Sequence, residues 1–216
     1  MPRDPTSAWS PPSAPPRAEA GRVPGALHGS LLLDQPEHRA DAEAFAAFLA
    51  DPGPVALEIG VDTATVLFDN ARRAPATRWI GLELRRRKVL KARPAAPPNV
   101  LLWWLDARTV LANLVPPRRL CRVDILFPTP TSNPRHLLFT EAFVADLQRV
   151  LTPDGVLTVA TDVPELWQHI EGLLTGWCPA PEPARGDVRS RRERVCRREG
   201  LTVYGASLSP PSPPVA

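Results

Sequence analysis

The sequence predicts an α/β protein in which helices cover both faces of a mostly parallel sheet. From Val55 onward, short apolar runs rich in β-branched residues alternate with longer amphipathic stretches, as expected for strands that are joined by crossover helices. The chain has 216 residues, of which 44% are hydrophobic, and this is enough for the core of one sizeable domain. We therefore expect one folded domain with tails.

The predicted elements follow from the local patterns. The strands are expected at "VALEI", "RWIGLEL", "NVLLWWL", "RVDILF", "VLTVAT" and "LTVYGASL". Helices are predicted between them at 65–73, 85–92, 108–114, 137–151 and 164–174. Ahead of the first strand, residues 38–53 combine helical spacing with a Pro-Gly stop. A further helix should therefore cap the sheet.

Both ends of the chain differ in composition from its middle. The chain contains 28 prolines, and many of them lie in residues 1–30 and 209–216, which lack apolar periodicity. Such segments bury too little apolar surface to offset the entropy of ordering. We predict disordered tails there, and a folded domain over residues 31–208.

Membrane, disulfide and metal functions are not indicated. No apolar run approaches the ~18 residues that a membrane span requires, and the N-terminus lacks the apolar core of a signal peptide. Cys121, Cys178 and Cys196 show no metal-ligand spacing and no pairing pattern. We therefore expect a cytoplasmic protein, with no membrane partner, no metal and no disulfide framework.

Two clusters of positive charge stand out against a net charge of only +3. Residues 84–93 carry six cations and no acid, and residues 185–198 carry seven arginines against two acids. Either cluster alone could be a solvated helix face. Together, beside a candidate site, they favour an anionic partner such as nucleic acid.

Carboxylates follow the predicted strands at successive positions. In an open α/β sheet, ligands bind at the carboxyl ends of the strands. Glu83, after the second strand, suits a ribose hydroxyl pair, although it could also cap the next helix. Asp106, after the third, could accept from an adenine amine, although an N-cap is equally ordinary. Together they outline an adenosine site.

Several short sequence blocks, taken in chain order, resemble motifs of the bacterial tRNA (guanine-N7)-methyltransferases. The blocks are "LEIG", "GLE", "DA", "FPTPTSNPRH" and "ATD", followed by "SRRE" and Tyr204. The family hallmark after the fourth strand is F-P-D-P-W-x-K-x-R-H, and "SRRE" looks like its later T-x-x-E motif. The resemblance covers residues 55–208. It implies a Rossmann-like fold with a seven-stranded sheet, S-adenosyl-L-methionine as cofactor and tRNA as substrate.

The resemblance also assigns roles to single residues. It implies cofactor binding by Glu58, Gly60, Glu83, Asp106 and Thr129. It implies catalysis by Asp162 and Arg135. It implies substrate binding by His136, Asn133, Ser190 and Glu193. Basic segments 85–93 and 185–198 would contact tRNA, and the protein would act as a monomer or homodimer.

The departures from the family pattern lie in two loops. Where the family has E-I-G-x-G-x-G, this chain keeps Gly60 but has Asp62 and Ala64 at the other two glycines. We expect these residues to reshape that side of the pocket. In the hallmark loop, Thr129 replaces aspartate and Asn133 replaces lysine, while Thr131 replaces tryptophan. The loop prolines end the strand and stiffen a platform for the substrate.

Three alternatives stay open at this point. A paralogue on the same scaffold could methylate a nitrogen or oxygen of a small heteroaromatic metabolite. A non-catalytic RNA-binding protein could retain a decayed cofactor site. A nucleotide-linked dehydrogenase is the weakest option, because it would need a glycine-rich loop to bind phosphate, and this chain has lost that loop.

Overall fold

The computed structural model describes residues 36–133, 136–183 and 190–211. In chain order, its elements are α1 (Pro36–Ala50), β1 (Val55–Ile59), α2 (Thr65–Arg73), β2 (Arg78–Leu82), α3 (Arg86–Ala92), a 3₁₀ turn (Arg93–Ala95), β3 (Val100–Trp103), α4 (Ala107–Leu114), β4 (Leu120–Leu126), α5 (Glu141–Val150), β5 (Leu151–Thr161), α6 (Pro164–Leu173), β6 (Cys178–Pro179), α7 (Arg191–Glu199) and β7 (Tyr204–Ser209). The predicted N-terminal tail lies outside the described residues.

The seven strands form one mostly parallel sheet, which confirms the predicted fold class. Their spatial order is β3-β2-β1-β4-β5-β7-β6. The first five are mutually parallel, and β7 runs antiparallel to both β5 and β6. From β1 the chain adds β2 and β3 on one side of the sheet, and it then returns to add β4 and β5 on the other side of β1, so the strand order reverses between β1 and β4. The carboxyl ends of these two central strands therefore border the crevice where such sheets bind ligands.

Alternating side chains of the strands pack into two apolar layers, one on each face of the sheet. Leu57, Val123 and Leu157 belong to one buried cluster, which includes side chains of α1, α4, α5 and α6. Ala56 and Trp79 belong to the opposite cluster, with side chains of α2 and α3. Because successive residues of a strand point to opposite faces, helices cover the sheet on both sides, as predicted.

Gly81 in β2 sets the distance between the sheet and the loop after β1. A Cβ atom at this position would lie 2.5 Å from the side chain of Leu67 and 2.9 Å from that of Val61. Real Cβ contacts are not this short, so a larger residue would push the loop outward. Glycine here lets the loop lie against β2, next to Glu83.

Some element boundaries differ from those predicted. Helix α5 begins at Glu141 rather than at residue 137, because the hydroxyl of Thr140 accepts a hydrogen bond from the N–H of Phe143 at 3.2 Å and caps the helix. Strand β6 has only two residues, too few to show an alternating pattern. For α7 the sequence offered a solvated helix face only as one interpretation of the 185–198 cluster, because seven of the nine residues of this helix are charged and leave no clear apolar stripe.

None of the described helices combines the length and the apolar character needed to cross a membrane. Within the described residues no cluster of histidine, cysteine and acidic side chains could hold a metal ion. The three cysteines are unpaired with one another.

Candidate active site

A cavity of about 680 Å³ opens at the carboxyl ends of β1, β2 and β4. Its volume falls in the range of small-molecule and cofactor sites. The predicted site residues that line it are Glu58, Gly60, Glu83, Asp106, Thr129, His136 and Ser190. Asp162, Asn133 and Glu193 are described but do not line it, and Arg135 lies outside the described residues. The sheet thus brings the predicted cofactor residues together.

The loop after β1 turns back on itself through three left-handed residues. They are Gly60 (φ 80°), Asp62 (φ 48°) and Ala64 (φ 56°), the positions where the family motif has glycine. A left-handed backbone costs a residue with a Cβ atom roughly 1–2 kcal/mol. Side-chain contacts offset part of this cost at Asp62, whose carboxylate pairs with Lys88 and, at 3.3 Å, with Arg85.

Glu83 is a buried carboxylate of the cavity that accepts four hydrogen bonds. Its side chain is only 5% exposed. Oε1 accepts hydrogen bonds from the backbone N–H of Arg85 at 3.0 Å and from its Nε at 2.9 Å. Oε2 accepts from the N–H of Asp62 at 3.0 Å and from Arg85 Nη2 at 3.3 Å. Burial by itself raises the pKa of Glu83, but these hydrogen bonds and the Arg85 charge outweigh it, so the pKa is lowered.

This lowered pKa makes the stability contribution of Glu83 depend on pH. The ordinary value is 4.5, so the unfolded chain takes up this proton at a higher pH than the folded protein does. The contribution is complete above the ordinary value and is lost as the pH falls through the lower folded value. We expect the free energy of unfolding of wild type, minus that of Glu83→Gln, to be constant at neutral pH and to shrink below about pH 4.5. Urea unfolding from pH 7 to pH 3.5 checks this, and a difference that stays constant throughout contradicts it.

Asp106 caps a helix and also lines the cavity. It is the N-cap of α4, where its carboxylate accepts a hydrogen bond from the N–H of Arg108 at 2.9 Å. Both of its oxygens also accept from Arg108 Nε, at 3.1 Å each, and this pairing raises the pKa of the Arg108 guanidinium. The same carboxylate lines the cavity. The N-cap carboxylate of α4 therefore also faces the cavity, so the two interpretations of Asp106 do not exclude each other.

The hallmark loop leaves the sheet through a strained residue. Phe127 has a φ of 55°, which is exceptional for a bulky side chain, and its N–H donates to the carbonyl of Ala160 at 2.6 Å. Such strain persists where the surroundings fix it, often at functional sites. Phe127, Pro128 and Thr129 then line the cavity. The strand therefore ends at a left-handed residue ahead of the first proline, and not at the prolines themselves as the sequence had predicted.

Two short-range hydrogen bonds join the described residues of the rest of the loop. The N–H of Asn133 donates to the hydroxyl of Thr131 at 3.1 Å, and the N–H of His136 donates to the carbonyl of Asn133 at 3.0 Å. The side chains of Asn133 and His136 are both exposed. Of these three residues, His136 reaches the cavity.

Helix α7 closes one side of the cavity. Ser190 caps it by accepting a hydrogen bond from the N–H of Glu193 at 3.0 Å, so the "SRRE" block acts as a helix N-terminal signature. Glu193 also pairs with Arg197 at 3.1 Å. Asp162, at the end of β5, binds α7 through Arg192, whose Nε donates to Oδ2 at 3.0 Å.

Sequence reasoning missed the arginine partners of the predicted carboxylates. The pairs are Glu83 with Arg85, Asp106 with Arg108, and Asp162 with Arg192. In the first two pairs, the arginine follows its carboxylate by two residues across the end of a strand, which is a usable local signal. The third pair spans thirty residues and leaves no trace in the local sequence. All three arginines line the cavity.

A buried ion pair lies next to Glu58 and was also missed. Asp124 of β4 is the register neighbour of Glu58 and is 1% exposed. Arg122 donates to it at 2.9 Å through Nε and pairs with it at 2.8 Å through Nη2. The guanidinium also lies 5.2 Å from the ring centroid of Trp79. Arg122 therefore neutralises Asp124, as a buried carboxylate requires.

Known proteins match most of this chain. Residues 52–175 match the model of a family described as "Putative methyltransferase". Two relatives are named tRNA (guanine-N(7)-)-methyltransferase. The protein of Rubrobacter xylanophilus is 26% identical over 89% of this chain and 85% of its own length. That of Mycobacterium tuberculosis is 32% identical over 77% of this chain and 62% of its own length.

A solved structure supports the same fold. It is a mutant 16S rRNA (adenine(1408)-N(1))-methyltransferase with cosubstrate SAM, from Catenulisporales acidiphilia. The TM-score is 0.53 at 18% identity, and the match covers 81% of this chain and 93% of that one. The family match spans β1 to α6 and includes the carboxylates at the ends of β1, β2 and β3. The chain therefore belongs to this methyltransferase family.

Proposed function

We propose that the protein transfers a methyl group from S-adenosyl-L-methionine to N7 of a guanine in tRNA. The observation that carries this proposal is the pairing of a left-handed loop after β1 with a buried carboxylate, Glu83, at the end of β2. Both line one cavity, whose other wall is a basic helix. The names of the two relatives support guanine N7 of tRNA as the target.

The residues of the cavity fit the proposed cofactor. A Cβ atom placed on Gly60 would meet nothing within 4 Å, so the loop backbone is open to a ligand. Glu83 suits the two ribose hydroxyls, and Asp106 suits an adenine amine. Leu84 lines the cavity although it is 68% exposed, and it offers an apolar surface for a base. When bound, this cofactor supplies a methyl group on a sulfonium.

Methyl transfer to guanine N7 requires the protein mainly to position the base and to provide suitable charge near it. Guanine N7 carries a free lone pair, so no general base is required. The protein must hold the base in line and supply a field suited to the positive charge that the base gains. Asp162 is the proposed source of negative charge, and the platform from Phe127 to Thr129 is proposed to hold the base. Thr129 contributes no charge where the family has an aspartate.

Contacts with tRNA are proposed for two basic surfaces. On α7, the arginines at positions 191, 194, 197 and 198 are exposed. On the segment from 85 to 93, Arg86 and Arg87 are exposed. Arginine contacts with phosphates supply affinity but little sequence information, and they weaken with salt. We therefore propose that α7 orients the tRNA over the cavity, while the loop after β4 selects the base.

Calorimetric titration with S-adenosylmethionine and with its demethylated product tests the cofactor proposal. We expect micromolar binding of both. Transfer of labelled methyl to bulk tRNA, followed by digestion and nucleoside mass spectrometry, tests the substrate. The expected product is 7-methylguanosine, formed at a rate that falls as salt rises.

Other outcomes would select one of the alternatives. Label in small purines but not in tRNA would support a small heteroaromatic substrate. The absence of the loop aspartate favours this alternative, and so does the position of α7 along one side of the cavity. Binding of RNA without binding of either cofactor form would support a non-catalytic RNA-binding protein.

A further inference from the structure

We infer that Arg85 and the cofactor ribose compete for the same oxygens of Glu83, so that Arg85 sets the affinity for the cofactor. This inference rests on the proposed function, because it assigns the ribose to Glu83. It concerns a residue that sequence reasoning placed only among the tRNA contacts.

The hydrogen bonds of Glu83 leave no room for an additional donor. Oε1 accepts two, from the N–H and from Nε of Arg85. Oε2 also accepts two, from the N–H of Asp62 and from Nη2 of Arg85. A carboxylate oxygen has about two acceptor positions. Both oxygens are therefore fully used.

Only the side chain of Arg85 can leave. The other two donors are backbone N–H groups, held in place by the loop and by the chain itself. The Arg85 side chain is 62% exposed, whereas that of Glu83 is 5% exposed, so the guanidinium can move into water while the carboxylate stays. Its departure frees one acceptor position on each oxygen, which is what two neighbouring ribose hydroxyls require.

Asp62 provides an alternative partner for the displaced guanidinium. Arg85 Nη2 already lies 3.3 Å from Asp62 Oδ1, and Asp62 is an acidic residue at a position where the family motif has glycine. A ligand that lacks the two hydroxyls has nothing to offer Glu83 in exchange. Because such a ligand need not displace Arg85, the competition lowers the affinity only for ligands that carry the two ribose hydroxyls.

The test is calorimetric binding of S-adenosylhomocysteine to wild type, Arg85→Ala and Arg85→Lys at pH 8. We expect Arg85→Ala to bind about fivefold more tightly, a change that corresponds to ~1 kcal/mol. Arg85→Lys should lie between the two, since one ammonium cannot reproduce the paired Nε and Nη2 contacts. Added salt should strengthen binding to wild type more than to Arg85→Ala, because it screens the competing ion pair.

Arg72→Ala is the matched control. It removes one exposed arginine from α2, outside the cavity lining, and should leave the affinity unchanged. Binding to wild type with equal or weaker binding to Arg85→Ala would overturn the competition but leave the proposed function intact. No binding to any variant would overturn both.

Discussion

Replacing Glu83 by alanine should abolish cofactor binding, with a loss of affinity of about 100-fold or more. The substitution removes both acceptors of the ribose hydroxyls. It also removes the Glu83 acceptor from the N–H of Asp62 and from the guanidinium of Arg85, so the loop after β1 loses one of its ties to the end of β2. Calorimetry with S-adenosylhomocysteine measures the effect directly.

A matched carboxylate on the surface separates this effect from a general loss of charge. Asp69 pairs with Arg73 at 3.2 Å on α2 and does not line the cavity. Asp69→Ala should bind the cofactor as wild type does. Thermal unfolding of both variants shows whether each is folded at the temperature of the titration. A folded Glu83→Ala protein with wild-type affinity would remove Glu83 from the ribose site.

The two substitutions in the Glu83 and Arg85 pair are expected to act in opposite directions. An ion pair that served only to hold the fold would weaken binding whichever partner was removed. A carboxylate that binds the ligand, with an arginine that competes for it, gives loss in one variant and gain in the other. The sign of the Arg85→Ala effect therefore distinguishes the two roles more sharply than its size.

The strands were predictable because buried strands require short apolar runs, and such runs can be recognised in the sequence. All five residues of "VALEI" are buried, and the same physical requirement produced the patterns of β2 and β4. The carboxylates after the strands were predictable for a related reason, since a parallel sheet gathers its strand ends at one edge. That edge is where the cavity lies.

The remaining features depend on contacts that no local pattern encodes. The left-handed torsions of Asp62 and Ala64 could not be predicted from residues that usually avoid them. Helix α7 is held by Arg192, whose partner Asp162 follows β5, thirty residues earlier in the chain. The family resemblance implied a catalytic role for Asp162, and no local pattern indicated that its carboxylate pairs with Arg192, which lines the cavity, while Asp162 itself does not.

Asp162→Ala should keep the cofactor affinity within a few-fold of wild type while turnover falls by about 10²–10³. The reason is that Asp162 lies after β5, away from the proposed ribose and adenine residues, and is the proposed source of negative field for the methylated base. The measurement pairs calorimetry with S-adenosylhomocysteine and single-turnover methyl transfer to tRNA, so that binding and chemistry are read separately.

Arg192→Ala decides whether the carboxylate acts on the base or only anchors α7. It breaks the same ion pair from the other side and leaves Asp162 in place. If the charge of Asp162 serves the reaction, Arg192→Ala should lose about tenfold or less in turnover, and the double variant should resemble Asp162→Ala. If anchoring of α7 is its whole role, each single variant should lose as much as the double. Equal losses in all three would therefore move Asp162 from the reacting base to the support of the helix.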